Sequence, residues 1–156
     1  MPHRDSSSRG SFWGLSLGHQ RAHLYRALLE SVAYGGRQVI EVMRETGVEI
    51  ADIVACGGGS RSSLWMQIHA DALGKPITVL GEPQAAALGA AICAAVATGF
   101  YRDLRQAAEA LTHPGHTFTP DPDRQLIYDA HCSDYLSDIA AHRKLRESAS
   151  RVEGPD

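Results

Sequence analysis

Three consecutive glycines followed by serines are the most chemically suggestive residues in this 156-residue chain. Residues 57–59 are all glycine, and Ser60, Ser62 and Ser63 follow them. Glycine lacks a Cβ atom, so its backbone adopts unusual dihedral angles and a ligand can approach it closely. Serine is a typical N-cap residue, and the free N–H groups at a helix start favour an anion or the polar edge of a nucleotide. Two interpretations stay open: a ligand-binding turn, or a tight strand-to-helix crossover without a ligand.

Two further sets of residues have the types needed for metal binding or acid–base chemistry. His19 and His23 have the i,i+4 spacing of metal ligands on a helix, but Gln20 stands where an HExxH motif requires glutamate. No third ligand lies nearby, so we predict capping or packing and no metal site in this chain. Asp71 and Glu82 are candidate carboxylates near the glycines. Asp71 lies deep in a predicted helix, and we expect a structural anchor there and not a base.

Two common nucleotide-binding motifs are absent from the sequence, and a common catalytic motif does not fall on the glycine turn. A P-loop fails at Gly74-Lys75, because His69 stands at its first glycine and Pro76 at its Ser/Thr position. The dinucleotide-binding pattern GxGxxG fails because Ser62 occupies its last position. The GxSxG spacing of a nucleophile motif occurs at residues 14–18, away from the glycine turn. The glycine turn therefore matches none of these standard motifs.

Hydrophobic periodicity places the glycines between a short buried strand and an amphipathic helix. The full predicted order is a strand at residues 11–15, a long helix that stops near Gly47, a strand at 53–55, a helix at 63–73, a strand at 77–80, helices at 85–98 and 103–111, a loop at 112–122 and a helix at 123–146. Such alternation is typical of an α/β fold. Two or three strands are few for this many helices, so we expect an incomplete sheet within a larger domain.

The long first helix has two local features with structural consequences. Gly35 and Gly36 interrupt it, each costing about 1 kcal/mol relative to alanine, which indicates close packing against a neighbour or a kink. Arg26 and Glu30 are an i,i+4 pair that stabilises an exposed helix by a few tenths of a kcal/mol.

The composition indicates which binding partners and which cellular compartment are expected for this chain. The formal net charge is −3 and the basic residues are scattered, which disfavours nucleic-acid binding. No apolar run approaches the roughly 20 residues of a membrane helix, and the N-terminus is not a secretory signal. Cys56, Cys93 and Cys132 are too far apart for a CxxC pair and odd in number, which favours a reducing, cytoplasmic compartment.

Four stretches in the same order resemble the C-terminal domain of the FGGY carbohydrate kinases, which have an actin-like ATPase (ribonuclease H-like) fold. They are RGSFWGL at 9–15, GHQRAHLYRALLESVA at 18–33, CGGGSRSSLWMQIHAD at 56–71, and residues 76–91, which include Glu82 and end in ALGAA. The resemblance runs from Arg9 to about Leu145. Within the family the glycine segment is most similar to pentulose and pentitol kinases, such as xylulokinase and ribulokinase.

The resemblance assigns a role to the glycine turn. It implies that the turn holds the ribose and α-phosphate side of ATP, that Ser63 lies near the adenine, and that Gln67 supports the turn. The nucleotide-binding residues implied are Gly57, Gly58, Gly59, Ser60, Ser63 and Gln67. ATP and Mg²⁺ are the implied cofactors. The sugar site and the catalytic aspartate of the family belong to its N-terminal domain, so we expect no catalytic residue in this chain.

These implications lead to one expected organisation and two expected functions. We expect a polar leader at residues 1–10, an incomplete C-terminal kinase domain at 11–146 without its upstream strands, and a flexible tail at 147–156. The first function is the ATP-binding portion of a sugar kinase, inactive alone, which meets a sugar or polyol through the missing N-terminal domain. The alternative is a non-catalytic remnant or subunit that binds a partner protein through exposed sheet edges. A homodimer is a further possible assembly.

Overall fold

The computed structural model describes the backbone of residues 10–82 and 84–152. Its elements in chain order are α1 (Arg21–Glu45), β1 (Ile53–Ala55), a 3₁₀ turn (Gly58–Arg61), α2 (Ser63–Leu73), β2 (Ile77–Leu80), α3 (Ala85–Ala97), α4 (Leu104–Leu111), β3 (Pro114–Phe118) and α5 (Pro122–Val152). The predicted strand–turn–helix unit around the glycines is therefore confirmed. Helix α5 extends beyond its predicted end at Arg146, and residues 1–9 of the predicted leader lie outside the described residues.

The three strands form one mixed sheet in the order β1-β2-β3. Strands β1 and β2 are parallel, with Ile53 opposite Ile77, because α2 carries the chain back across the sheet between them. Strands β2 and β3 are antiparallel, with Ile77 opposite Phe118. The carboxyl end of β1 points to the glycine turn, so the sheet positions this turn at the edge where α/β proteins bind ligands.

The predicted loop at residues 112–122 is wrong, because residues 114–118 form β3. The segment has no apolar alternation, so its sequence lacks a strand signal. It is extended because β2 offers an unpaired edge, and the hydroxyls of Thr78 and Thr117 lie 2.9 Å apart across the pair. A Cβ atom built on Gly115 would lie 2.9 Å from the carbonyl oxygen of Val79, so this irregular pairing requires glycine.

The predicted strand at residues 11–15 is also wrong, since this segment is irregular. Phe12, Trp13 and Leu15 are exposed. A strand requires a neighbour that accepts its hydrogen bonds, and none of the described strands lies beside this segment. The Trp13 ring instead contacts the edge of His142 on α5, with 5.6 Å between ring centroids.

Helix α1 continues unbroken through Gly35 and Gly36. A Cβ atom built on Gly36 would lie 3.8 Å from Leu73 Cδ2, so this glycine faces α2 in close packing. The predicted pair of Arg26 and Glu30 is confirmed, with Nε and Oε1 2.6 Å apart.

The core consists of two clusters on opposite sides of α2. The first joins α1, α2 and α5 and contains Ala33, Tyr34, Ile68, Ala72, Tyr128 and Cys132. The second joins α2 to the sheet and contains Met66, Ala70 and Ile77. Helix α2 is thus packed on both sides, which makes it a rigid support for the turn that precedes it.

Helices α3 and α4 follow their predicted bounds closely but lie at the periphery. Most of α3 is exposed despite its apolar composition, and Ile92 is its buried residue. Helix α4 begins after Asp103, whose carboxylate accepts a hydrogen bond from the Gln106 backbone, so the predicted cap is confirmed. Among the described helices none combines the length and hydropathy needed to cross a membrane.

Candidate functional site

The glycine turn begins with a backbone conformation that favours glycine. Gly57 has φ of +85° and ψ of −171°, a region that L-residues rarely adopt. The chain then enters the 3₁₀ turn Gly58–Arg61 and, after Ser62, the helix α2. The reversal after β1 takes only a few residues because Gly57 absorbs the change of direction.

Ser60 closes the turn from inside. It is buried, its backbone N–H donates to the Gly57 carbonyl over 3.2 Å, and its hydroxyl donates to the same oxygen over 2.7 Å. Its hydroxyl hydrogen is therefore used within the turn. The structure gives Ser60 a structural contact, which the cap pattern in the sequence did not indicate.

Ser62, and not Ser60 or Ser63, caps α2. The Ser62 hydroxyl accepts a hydrogen bond from the Trp65 backbone N–H over 3.3 Å. Ser63 is the first helical residue and is exposed, next to the open end of the helix. Its position leaves its side chain accessible to a ligand at the turn.

Trp65 supports the turn from below, a contact that the sequence analysis missed. A Cβ atom built on Gly59 would lie 2.6 Å from Trp65 Cζ3, so the indole ring occupies the space of a side chain at residue 59. The indole Nε1 donates to the Leu29 carbonyl of α1 over 3.1 Å. Trp65 therefore ties the turn to α1, and Gly59 is needed for this contact.

The opposite side of the turn is open. Cβ atoms built on Gly57 and Gly58 would meet no atom within 4 Å. Any side chain at residue 58 would project into this open space, which is the space that a ligand held by backbone N–H groups requires. The open side of the turn therefore leaves room for a ligand to approach the main chain closely.

Gln67 and Asp71 lie further along α2 and hold another part of the chain. The Gln67 amide nitrogen donates to Asp71 Oδ1 and to the Thr119 carbonyl, each over 2.8 Å. Asp71 Oδ1 also accepts from the Asp121 backbone N–H over 2.9 Å, and Arg124 Nε lies 3.2 Å from Oδ2. Both side chains thus fasten the loop before α5, and their described hydrogen bonds do not reach the glycine turn.

The other candidate residues form local hydrogen bonds near the starts of α1 and α3. His23 Nδ1 accepts from the Gln20 backbone N–H over 3.0 Å at the start of α1, and His19 Nδ1 accepts from the Ser16 backbone N–H over 2.9 Å. The predicted capping or packing role is therefore confirmed as capping for His23, whereas His19 closes the turn before α1. Glu82 Oε1 accepts from the Gln84 N–H over 2.8 Å, just before α3. Within residues 10–82 and 84–152, no three His, Cys, Asp or Glu side chains form a group that could hold a metal ion.

A second concave feature lies between α1 and α5, a cleft of about 140 Å³. Two of its charged groups satisfy one another: Arg26 pairs with Glu30 and contacts the Tyr128 hydroxyl, which donates to Glu30 Oε1 over 3.0 Å. Burial raises the pKa of Tyr128, so its hydroxyl stays protonated and can keep donating. The cleft is therefore a helix-to-helix contact, which the Arg26–Glu30 spacing alone did not reveal.

Comparisons with known proteins agree with this architecture. Residues 1–98 match the C-terminal domain of the FGGY family of carbohydrate kinases. The xylulose kinase of Bacillus subtilis is 33% identical over 92% of this chain and 28% of its own length. The structure of a Rhodospirillum rubrum xylulose kinase is similar with a TM-score of 0.77 and 38% identity, over 90% of this chain and 29% of that one.

A more distant structure shows the same fold. The glycerol kinase of Plasmodium falciparum, solved with ADP, has a TM-score of 0.68 and 22% identity over 85% of this chain and 27% of its own. The chain spans less than a third of the length of each of these relatives. Its helices and small mixed sheet are part of the actin-like ATPase fold of sugar kinases. The chain belongs to the FGGY family of carbohydrate kinases.

Proposed function

We propose that this chain is the ATP-binding portion of a kinase that transfers the γ-phosphate of ATP to a hydroxyl of a sugar or polyol. The open glycine turn carries this proposal, because Gly57 and Gly58 present main-chain atoms to a space that no side chain fills. Family membership and the glycerol kinase solved with ADP support it. The xylulose kinases among the relatives favour a pentulose as the acceptor.

The residues of the turn would have different roles in nucleotide binding: some would contact the nucleotide and others would support the main chain. The N–H groups at Gly58 and Gly59 would contact the ribose and α-phosphate side, and the exposed Ser63 would lie near the base. Trp65 and Ser60 keep this main chain in place from beneath, since one fills the space behind Gly59 and the other bonds to the Gly57 carbonyl. Gln67 would act on the nucleotide site only indirectly, because its amide holds the loop before α5 through a hydrogen bond to the Thr119 carbonyl. Preorganised contacts of this kind position a phosphoryl donor.

Phosphoryl transfer needs groups that we assign to polypeptide beyond this chain. The bond between the γ-phosphorus and the β,γ-bridging oxygen breaks, a bond to the sugar oxygen forms, and a base takes the hydroxyl proton. Asp71 and Glu82 are already engaged in structural hydrogen bonds, so neither is our candidate for that base. We infer that this chain alone does not transfer phosphate. Mg²⁺ would arrive bound to the phosphates of ATP.

The cysteines and the net charge indicate the compartment and the class of partner. We propose a cytoplasmic protein without a nucleic-acid partner, because the cysteines are unpaired and the net charge is −3.

The alternative function, a protein-interaction module, is favoured by one observation, the exposed apolar face of α1. The two functions make different predictions, since only the first requires nucleotide binding.

Calorimetric titration of the purified chain with Mg-ADP tests the proposed function. We expect a micromolar dissociation constant, weakened at least about 10-fold by Gly58→Val. Residue 58 has no positive φ and open space around it, so valine fills the site without straining the fold. Gly10→Val is the matched control, since Gly10 is equally open but lies in the irregular N-terminal segment.

Each result has a definite meaning. Loss of binding in Gly58→Val with unchanged binding in Gly10→Val supports the turn as the nucleotide site. A folded wild-type chain that releases no heat with Mg-ADP contradicts an autonomous site. Equal affinities for the wild type and Gly58→Val place any nucleotide elsewhere and contradict the role of the turn.

A further inference from the structure

The carbonyl of Gly57 accepts two hydrogen bonds from a single residue. The Ser60 backbone N–H donates to it over 3.2 Å, and the Ser60 hydroxyl donates to it over 2.7 Å. Ser60 is 8% exposed, so water has little access to this side chain. The shorter of the two bonds comes from the hydroxyl, which therefore supplies a large part of the attraction that orients this carbonyl.

A carbonyl oriented in this way also fixes the direction of the next N–H group. The described residues contain no cis peptide bond, and in a planar trans peptide the C=O and the N–H point in opposite directions. Because the Gly57 carbonyl points to Ser60, the Gly58 N–H points away from it. Within the described residues this N–H has no acceptor. The orientation of one peptide therefore places the Gly58 donor on the open side of the turn.

Glycine on both sides makes this peptide easy to reverse. Turning the peptide plane over changes ψ of Gly57 and φ of Gly58, while the neighbouring residues stay in place. Gly58 does not have a positive φ in the structure, and the reversed plane would give it one. Glycine adopts positive and negative φ about equally well, so its backbone does not choose between the two orientations. The reversed peptide would present a carbonyl where the structure presents a donor.

Other contacts fix the residues on either side of this peptide. Strand β1 ends at Ala55 and is paired with β2. Trp65 lies behind Gly59, and the Ser62 hydroxyl caps α2. One reversible peptide thus lies between fixed supports. The Ser60 hydroxyl is the side-chain group that the structure shows bonded to it.

We propose that Ser60 is a positioning residue, whose hydroxyl holds the peptide between Gly57 and Gly58 in the orientation that turns the Gly58 N–H towards ATP. This inference rests on the proposed function. In the reversed orientation the Gly57 carbonyl oxygen would face the α-phosphate, and two negatively polarised groups would repel one another. Only one orientation then binds the nucleotide, and the apparent affinity follows its population.

Removing the hydroxyl should change this population without unfolding the turn. Ser60→Ala keeps the Cβ atom and the backbone N–H, so one of the two hydrogen bonds to Gly57 remains. Loss of one neutral hydrogen bond changes an equilibrium by roughly 2- to 12-fold. We therefore expect the dissociation constant for Mg-ADP to rise at least about 3-fold. Ser60→Thr keeps a hydroxyl at the same position and should stay within about 2-fold of the wild type.

Calorimetric titration of the full chain and its variants with Mg-ADP tests the inference. The matched control for Ser60→Ala is Ser31→Ala. The Ser31 hydroxyl donates to the Leu28 carbonyl over 2.9 Å in α1, so this variant loses the same kind of hydrogen bond outside the turn. Its affinity for Mg-ADP should equal that of the wild type.

Nuclear magnetic resonance of the nucleotide-free chain gives a readout that a general loss of stability would not reproduce. Isotope labelling of glycine makes the amide signals of the 15 glycines visible, and the signal missing from Gly58→Val belongs to Gly58. A peptide that reverses on the microsecond-to-millisecond timescale broadens its amide signal. We expect this broadening at Gly58 in Ser60→Ala, and not in the wild type, Ser60→Thr or Ser31→Ala.

The two measurements separate this inference from the proposed function. A wild type that binds Mg-ADP no better than Ser60→Ala overturns the inference and leaves the proposed function intact. So does a folded Ser60→Thr, or a Ser31→Ala, that loses as much affinity as Ser60→Ala. A wild type that binds no Mg-ADP contradicts the proposed function. The Gly58 signal needs no nucleotide and decides even if Ser60→Thr does not fold, since an unbroadened signal in Ser60→Ala overturns the role of Ser60.

Discussion

Replacing Asp71 by alanine is expected to lower the free energy of unfolding by about 3 kcal/mol. Asp71 is 2% exposed and accepts hydrogen bonds from the Gln67 amide and the Asp121 backbone, while Arg124 pairs with its second oxygen. Alanine would leave the Asp121 backbone N–H without its acceptor, would take one of two acceptors from Gln67 and from Arg124, and would create a cavity at the start of α5. Urea denaturation followed by circular dichroism measures the loss.

The conservative variant separates this structural role from a role in binding. Asp71→Asn keeps Oδ1 as an acceptor for Gln67 and Asp121 but turns an amide towards Arg124, so we expect a smaller loss, about 1–2 kcal/mol. Its affinity for Mg-ADP should equal that of the wild type. An Asp71→Ala protein as stable as the wild type would contradict the anchor, and an Asp71→Asn protein that is stable but does not bind would assign Asp71 to the nucleotide site.

Gly59→Ala is expected to destabilise the chain by about 2 kcal/mol, because the new methyl group overlaps the indole ring of Trp65. The built Cβ atom lies 2.6 Å from Cζ3, and the ring cannot retreat without losing its hydrogen bond to the Leu29 carbonyl. Gly58→Ala is the matched control. It places the same methyl group in open space one residue earlier, and we expect its effect to stay within about 0.5 kcal/mol.

A double-mutant cycle identifies Trp65 as the cause. Trp65→Phe removes the ring atom that the new methyl group would meet, so Gly59→Ala should cost less than about 0.5 kcal/mol in that background. Thermal and urea unfolding of the four proteins measure the coupling. Additive effects would mean that the cost of Gly59→Ala comes from the backbone of the turn, and they would contradict the support that we assign to Trp65.

Elements whose signals are local were predicted well from the sequence. The apolar run at residues 53–55, the glycines after it and the cap-to-glycine pattern of α2 each involve neighbours in the chain, and the structure contains each of them. Asp103 before α4 is similar, because an N-cap bond spans only three residues. Among the three serines of the turn, the sequence offered equal candidates, and only the backbone geometry selected Ser62.

Errors arose where an element depends on a distant partner. Residues 11–15 are apolar enough for a strand but have no described strand beside them, whereas residues 114–118 are polar and still form β3 because β2 accepts them. Gly36 is similar, since only the position of Leu73 shows why a glycine is needed in α1. Strand pairing and close packing are decided by what lies opposite, and a local pattern does not contain that information.

The sequence by itself determined the family, the strand–turn–helix unit and the glycines that open a site on the main chain. These follow from residues that are adjacent in the chain or occur in a characteristic order. Only the tertiary structure decided that Trp65 fills the space behind Gly59 and that Gln67 and Asp71 hold a loop about 50 residues away. Contacts between distant residues exist only after helices and sheet have packed, because burial and hydrogen-bond geometry are properties of the assembled fold.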